Sequence, residues 1–327
     1  MRAAGIIRII VGLVIAVLLT AILVVLLTGN NIFNRIGMDG SWVDKLVDRT
    51  TYYSGGVDED SDQIIVSEQA SVPAADITKI KIDWVAGSVN LRVGTSDQIV
   101  FSESSYRNLT DRQKMRYTVS DNGVLQIHFC ENLENIFDWF NVDANMPAKT
   151  LTMEVPASLM DMLTEVAVET VSANIDLSGV YGSKTDLSTV SGSINCTDVA
   201  TDEIKIDSTS GSIVCENSTA QKLNLDNVSG SIRAAGEYAT VDVENVSGSI
   251  NLAFVTMPDD LEADSVSGGV TVTLPEGANF TVRLDTVSGK LNCEFPGIVG
   301  SDLVVVGDGK AEYRFGTVSG DVNIQKN

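Results

Sequence analysis

The sequence predicts an all-β fold: a parallel β-solenoid (β-helix) of coils of about 19–21 residues, preceded by one N-terminal transmembrane helix. Three observations predict it. A five-residue motif recurs at a nearly constant spacing through the second half of the chain. Hydrophobic and polar residues alternate on both sides of each copy. A long uncharged hydrophobic stretch lies close to the N-terminus.

The recurring motif sets the length of a coil. Its successive spacings from residue 171 onward are 19, 19, 19, 18, 20, 21 and 31 residues. A fixed period near this length is typical of a solenoid, in which each unit buries its apolar face against its neighbours. The copies are VAGSV at 85, VSANI at 171, VSGSI at 190, TSGSI at 209, VSGSI at 228, VSGSI at 246, VSGGV at 266, VSGKL at 287 and VSGDV at 318.

Alternation around the motif predicts strands rather than helices. With the first motif residue as position zero, positions +4 and +6 are apolar in the copies from 171 onward, as in Ile213 and Cys215. Position −3 is apolar as well, and position −5 is mostly apolar. A period of two indicates one strand before and one after each motif. We expect position zero to face inward too, with an extra residue between −3 and zero forming a bulge or corner.

The Ser-Gly step of the motif is expected to form the corner between the two strands. Glycine at position +2 suggests a positive φ or a close approach of two backbones. It stands at Gly192, Gly211, Gly230, Gly248, Gly268, Gly289 and Gly320. The serine before it is expected to join a structural hydroxyl ladder. A catalytic serine is not expected, since no base lies in register with it.

Composition excludes several classes of protein. The net charge of −22 argues against nucleic-acid binding, and four cysteines in 327 residues argue against a disulfide scaffold. Cys196, Cys215 and Cys293 share position +6 and are expected inside. Cys196 and Cys215 are expected to be stacked neighbours, which leaves a disulfide between them open. The single histidine, His128, lies on a polar strand position.

The acidic residues form an outward column at position −2. It reads Glu169, Ser188, Asp207, Asp226, Glu244, Asp264 and Asp285. One interpretation is a solvated acidic face that also discourages aggregation. The other is that Asp207, Asp226, Glu244 and Asp264 bind a divalent cation such as calcium, or a cationic peptide. No other metal, cofactor-binding or catalytic residues are predicted.

The uncharged stretch from Ile9 to Thr28 is twenty residues long, which suits one crossing of a bilayer as a helix. A cleaved signal peptide is the main alternative, but the stretch is longer than a typical signal core and no Ala-x-Ala site follows it. Arg2 and Arg8 precede the stretch, while Arg35, Lys45 and Arg49 follow it at a greater distance, so the count of basic residues on the two sides is close to a tie. The very short N-terminal tail favours a cytoplasmic start. We therefore expect a single-pass anchor in the cell membrane, with a cytoplasmic N-terminus and an extracellular repeat domain.

Five segments follow from these assignments: a cytoplasmic tail (1–8), the anchor helix (9–28), an acidic juxtamembrane linker (29–75), an N-terminal β region and cap (76–165) and the repeat solenoid (166–327). Phe137, Trp139 and Phe140 lie in an insertion of the fourth segment that is expected to cap the first coil, with a contact patch as the alternative. The final spacing of 31 residues suggests a looped or capping last unit.

An N-terminal anchor, the sequence KTLTMEVP at 149–156 and the iterated VSGSI together resemble the bacterial putative-adhesin β-strand-repeat family, which includes LiaG-like cell-envelope proteins. The resemblance covers residues 76–327. It implies a cell-envelope β-solenoid domain of unknown function, with no catalytic residues to carry over.

The function expected from the sequence is non-enzymatic: a membrane-anchored extracellular β-solenoid that serves adhesion or another envelope interaction. Its partners would be the bilayer, cell-surface polymers, proteins or cationic peptides. One alternative is an accessory of an envelope-stress response that meets cationic peptides or cations through its acidic face. A third, a polysaccharide-acting β-helix enzyme, is disfavoured because bases and aromatic residues are few.

Overall fold

The computed structural model describes residues 65–131, 147–160, 162–300 and 302–327. The predicted tail, the anchor helix at 9–28 and the aromatic insertion lie outside these residues. No helix within the described ranges is long and apolar enough to cross a membrane.

Most of the described residues are in β-strands. Two short helical segments occur, a 3-10 turn (Ala74–Asp76) and α1 (Ala157–Met160). The strands are β1 (Ile65–Pro73), β2 (Lys79–Gly94), β3 (Gln98–Ser105), β4 (Arg116–Val119), β5 (Val124–His128), β6 (Lys149–Pro156), β7 (Glu165–Ser178), β8 (Tyr181–Ser191), β9 (Ile194–Thr197), β10 (Ala200–Ser210), β11 (Ile213–Ser229), β12 (Ile232–Ser247), β13 (Ile250–Phe254), β14 (Asp260–Ser267), β15 (Val270–Leu274), β16 (Phe280–Ser288), β17 (Leu291–Cys293), β18 (Ile298–Val299), β19 (Leu303–Val306), β20 (Ala311–Ser319) and β21 (Val322–Lys326).

The repeats stack as parallel strands in register. Ile206 in β10 lies opposite Leu187 in β8 on one side and Leu225 in β11 on the other. These three residues share position −3 of consecutive motif copies, so one period of the sequence corresponds to one coil of the stack. The all-β, parallel-strand part of the prediction is confirmed. Strand β1 lies within the segment assigned to the linker (29–75) and pairs with β3, so residues 65–73 are part of the fold and not of a linker.

Apolar side chains at positions −5, −3, +4 and +6 fill the interior of the stack. Ile204, Ile206, Ile213 and Cys215 are fully buried in one coil. Burying each large aliphatic side chain contributes about 1.5–3 kcal/mol, and here that burial depends on a neighbouring coil above and below.

Position −1, not position zero, is the third inward position, so our expectation for position zero was wrong. Strict alternation continues through −5, −3 and −1, and the bend follows from zero to +3. Position −1 is polar but mostly buried, and in several copies its side chain donates a hydrogen bond to a corner carbonyl. Asn227 donates through Nδ2 to the oxygen of Gly211 at 3.1 Å, and Asn245 donates to that of Gly230 at 3.0 Å.

The motif serines at position +1, such as Ser210 and Ser229, are exposed. The corner carbonyls, which the serine hydroxyls were expected to satisfy, instead accept hydrogen bonds from the residue at position −1. Thr170, for example, donates its hydroxyl to the oxygen of Ala173 at 3.1 Å. A short polar side chain at −1 reaches the corner from inside, where water cannot compete for the carbonyl.

The corner glycines combine the two features expected of them. Gly230 and Gly248 have φ of +133° and +130°. A Cβ on Gly230 would overlap the carbonyl oxygen of Gly211 in the coil before it, and a Cβ on Gly248 would overlap that of Gly230. Each corner therefore rests directly on the backbone of its neighbour.

The order of coils in the stack differs from the order in the chain at both ends. The final copy, β20 and β21, lies between the coil of β14 and β15 and the coil of β16 and β17. At the other end, β2 lies between β7 and the later strands β5 and β6.

This order explains the long last spacing. The extra residues form β18 and β19, and β19 pairs antiparallel with the outer edge of β16. The last unit was expected to be looped or capping. The loop is present, as the hairpin of β18 and β19, but it covers the penultimate coil, and the final unit is internal and does not cap the stack.

Two adjacent glycines test the corner contact. Gly268 has φ +145° and its Cβ would overlap the oxygen of Gly248, whereas a Cβ on Gly269 would meet only Asp321 O at 3.4 Å. We expect Gly268→Ala to lower the free energy of unfolding by about 2–4 kcal/mol. We expect Gly269→Ala to change it by less than about 0.5 kcal/mol. Urea denaturation of both variants is the measurement, and equal losses would contradict the corner contact.

Candidate functional site

Parallel in-register stacking places the position −2 side chains in one outward row along the stack. Successive members are direct Cα partners on neighbouring strands, which lie about 4.8 Å apart. Ser188 interrupts the row near one end and Gly316 near the other. We name this feature the acidic row; its members are Asp83, Glu169, Asp207, Asp226, Glu244, Asp264 and Asp285.

The four residues selected from the sequence form the unbroken centre of the acidic row. Asp207 lies opposite Asp226, Asp226 opposite Glu244, and Glu244 opposite Asp264. All four are partly or largely exposed. The structure therefore brings these carboxylates together on one face.

A second acidic column, at position −4, widens the centre of this face. Asp242 lies opposite Glu262, and both are outward neighbours of the row. Sequence reasoning missed this column because −4 mixes acids, bases and neutral residues. It also missed Asp83, although the VAGSV copy at 85 places Asp83 at position −2.

Basic residues accompany the row at only a few points. Lys205 Nζ lies 2.6 Å from Asp207 Oδ2. Arg314 lies 3.0 Å from Asp260 and 3.7 Å from Glu262. These pairs are partly exposed, so each contributes at most about 1 kcal/mol. The face keeps its negative potential.

Crowding of like charges shows in the acid–base behaviour of the row. Partial burial among its neighbours and the carboxylates of Asp207 and Glu244 raise the pKa of Asp226 to about 7. Burial and the carboxylates of Asp83 and Asp186 also raise the pKa of Glu169. Asp226 remains exposed, so water screens part of this repulsion.

The row does not fold into a preformed metal cage in the described part of the chain, where no group of three or more His, Cys, Asp or Glu side chains has metal-binding geometry. Flat sheet spacing holds the carboxylates side by side instead of converging on a point. The assignment of a divalent cation to Asp207, Asp226, Glu244 and Asp264 stays a prediction.

Cys196, Cys215 and His128 have structural surroundings in the stack. Cys196 and Cys215 are buried register partners with free thiols. The Cys215 thiol and burial together raise the pKa of Cys196 well above its usual value. His128 Nδ1 lies 3.1 Å from Asp83 Oδ2, at the end of the acidic row.

The protein-family profile described as Toastrack DUF4097 matches residues 77–325. The chain belongs to this Toastrack family. The match spans all of the motif copies and the N-terminal β region. The resemblance to the putative-adhesin repeat family is thereby confirmed.

Solved structures similar to this Toastrack chain include a putative adhesin from Parabacteroides distasonis, with 15% identity, 80% of this chain and 97% of that chain covered, and a TM-score of 0.47. A putative adhesin from Bacteroides fragilis has 13% identity, covers 82% and 98%, and has a TM-score of 0.42. A putative cell adhesion protein from Clostridium sporogenes has 13% identity, covers 85% and 100%, and has a TM-score of 0.29. No curated protein matches this chain.

Titration of Asp226 tests the crowding of the acidic row. Its pKa in the folded domain lies above that of an aspartate in an unfolded chain, so the folded state binds more protons between the two values. Stability therefore falls as pH rises through about 7. We expect Asp226→Asn to be more stable than the native chain at about pH 8, and that advantage to shrink as pH falls below about 7 and to be lost at about pH 4.

Urea midpoints across this pH range provide the measurement. Glu276→Gln is the matched control, since Glu276 is exposed in the turn between β15 and β16 and lies outside the row. A difference between Asp226→Asn and the native chain that stays constant with pH would contradict the crowding.

Proposed function

We propose that this chain is a non-enzymatic, membrane-anchored envelope protein that holds its Toastrack domain outside the cell and binds cationic partners through the acidic row. The observation that carries the proposal is the continuity of carboxylates over four adjacent strands, from Asp207 through Asp226 and Glu244 to Asp264. A partner with regularly spaced positive charges can meet several of them at once.

Long-range electrostatics favour such a partner over a neutral one. A surface with one sign of charge steers oppositely charged molecules and raises their association rate. The few bases on the face, such as Lys205 and Arg314, are already engaged by carboxylates. Anionic polymers would be repelled, and this disfavours polyuronates as ligands.

Side-chain placement favours binding over polysaccharide chemistry. The large aromatic residues Trp84, Phe101, Phe254 and Tyr313 are buried in the core, where they cannot stack on a sugar ring. Exposed aromatic side chains in the described ranges include Tyr106, just after β3, and Tyr181, at the start of β8, which lie in different parts of the chain.

A role in the response to cationic antimicrobial peptides is the second candidate. The raised pKa of Asp226 supports it, since repulsion within the row is relieved when a cation binds. In this role, the same face would sense a peptide instead of holding a fixed envelope component.

Binding to oligolysine tests the role of the row. We expect the purified chain to bind it with an affinity that falls steeply as salt rises above about 0.15 M. We expect the double variant Asp226→Asn/Glu244→Gln to weaken binding by about 3- to 10-fold, because two adjacent partner charges are lost. Calorimetry or fluorescence anisotropy measures the Kd.

The control for this experiment removes the same charge elsewhere. Glu237 and Glu276 are exposed and lie outside the acidic row. The variant Glu237→Gln/Glu276→Gln should bind as the native chain does. Equal weakening by both double variants would show that net charge, and not the row, attracts the peptide. Competition by millimolar calcium would favour the divalent-cation interpretation.

Protease treatment of intact cells tests the orientation. If residues 9–28 span the membrane with the N-terminus inside, an added protease should degrade the repeat domain while cytoplasmic proteins stay intact. An antibody to a C-terminal tag reports the loss. Protection of the tag until the membrane is permeabilised would overturn the extracellular placement.

A further inference from the structure

A buried charged cluster lies at the N-terminal end of the stack, away from the acidic row. We name it the lysine cluster; it contains Lys149, Glu103 and Glu68, with Trp84 and Phe129 around them. The Lys149 and Glu103 side chains are both 0% exposed. The function proposed above makes no use of this cluster.

The place of Lys149 in the stack explains why a long side chain fits there. Lys149 is the register partner of Gly87, the corner glycine of the VAGSV copy, so it occupies the glycine position of the outermost coil. Elsewhere this position faces the backbone of a preceding coil. Among the described residues no further coil lies beyond Lys149, and its side chain extends into the space between β3 and the segment around Phe129.

The amine is held from several sides. Lys149 Nζ is in direct contact with Glu103 Oε2. It donates to the carbonyl oxygens of Gln113, at 2.6 Å, and of Phe129. Its Nζ lies 4.0 Å from the centroid of the Phe129 ring and 5.0 Å from that of Trp84. Aromatic walls and the absence of exposed surface keep water from this contact.

The carboxyl side is equally fixed. Glu103 Oε2 accepts from the backbone N–H of Met115 at 3.0 Å, while Glu103 Oε1 has no hydrogen-bond partner among the described residues. Glu68 lies opposite Glu103 in the β1–β3 pairing and is buried on the same face. The Glu68 and Glu103 carboxyl groups therefore lie side by side in the same buried cluster, and Glu103 is the one in contact with the amine.

This arrangement favours the neutral forms of the pair. Burial raises the pKa of Glu103 and lowers that of Lys149, although each partner opposes the shift of the other. Arg116 and the Cys130 thiol are further ionisable groups that act on Lys149. Transfer of one proton across the contact leaves an amine whose two N–H groups can still donate to Gln113 and Phe129. Its lone pair then points at the Glu103 carboxyl.

We propose that Lys149 and Glu103 condense to form an intramolecular isopeptide bond. The neutral amine attacks the Glu103 carboxyl carbon, a C–N bond forms, and the C–O bond to the hydroxyl breaks. The hydroxyl and one amine proton leave as water, so no oxidant or other reactant is needed. Glu68 relays the proton between the amine and the departing hydroxyl.

Proximity lowers the barrier to a reaction that is very slow between separate groups in bulk water. Groups held in contact react with effective concentrations of about 10⁵–10⁸ M. The product also replaces two ionisable groups in a dry site with one neutral amide, so no buried charge can form there. The bond joins β3 to β6, so a pull on the anchored end would bypass the chain from 104 to 148. This last consequence rests on the proposed anchoring; the bond itself does not.

Intact-mass spectrometry of the purified full-length chain, after reduction, tests the proposal. We expect a mass lower by one water than the sequence predicts, and a branched peptide joining Lys149 to Glu103 after digestion. A folded chain with the full mass would overturn the proposal and leave a buried ion pair. This result would not affect the binding of oligolysine.

Two variants locate the chemistry. Lys149→Arg keeps a cation but cannot form the amide, so its mass should match its sequence; a missing water there would place the modification elsewhere and overturn the assignment. Glu68→Gln keeps the shape but cannot relay a proton as an acid, and should leave most molecules unlinked. A fully linked Glu68→Gln chain would overturn the role of Glu68. If Lys149→Arg fails to fold, the branched peptide from the native chain decides alone.

Discussion

The backbone contact between neighbouring corners is the constraint on which the rest of this structure depends. Gly230 N–H donates to the oxygen of Ser247, and Gly248 N–H donates to that of Ser267, each at 3.0 Å. No side chain separates the corners, so the register of every coil is locked to that of the next. This lock decides which residues face inward and keeps the position −2 carboxylates in one row.

Ends are the weak points of any stack of coils, because they leave an unpaired strand edge. This chain covers them by changing the order of its coils. At one end β3 and β4 pair antiparallel with the outer strands β6 and β5, and at the other β19 covers β16. At each end, the chain forms the outer coil and then returns to a position nearer the centre of the stack. The strands that cover the outer coil lie in the segments that connect the coils.

Much of the fold could be predicted from the sequence because a repeat shows the same physical requirement many times. The apolar columns, the glycine corners and the outward acids each recur in consecutive copies. The inward face of position −1 could not be predicted in this way. Thr170, Asn227 and Asn245 share no hydrophobicity, and only their hydrogen bonds to the corner show why they are inside.

The order of coils and the lysine cluster lay beyond sequence reasoning for a different reason. Both occur once, so no period shows them. Spacing of 31 residues indicates an insertion but not where the following unit docks. Glu103 and Lys149 come from segments without a repeat, and their contact depends on the antiparallel pairing of β3 with β6.

The stacking order of the coils can be measured most directly as the distance between spin labels at exposed corner serines. The labels are placed in a chain whose four native cysteines are replaced by alanine. Ser267 and Ser319 are register partners in β14 and β20, whereas Ser288 in β16 lies one strand further away. We expect strong dipolar coupling between labels at Ser267 and Ser319, which lie one strand spacing of about 4.8 Å apart. We expect weaker coupling between labels at Ser267 and Ser288, which lie about twice that spacing apart. Stronger coupling between Ser267 and Ser288 than between Ser267 and Ser319 would show that the coils stack in chain order, and would contradict the position of the final unit between β14 and β16.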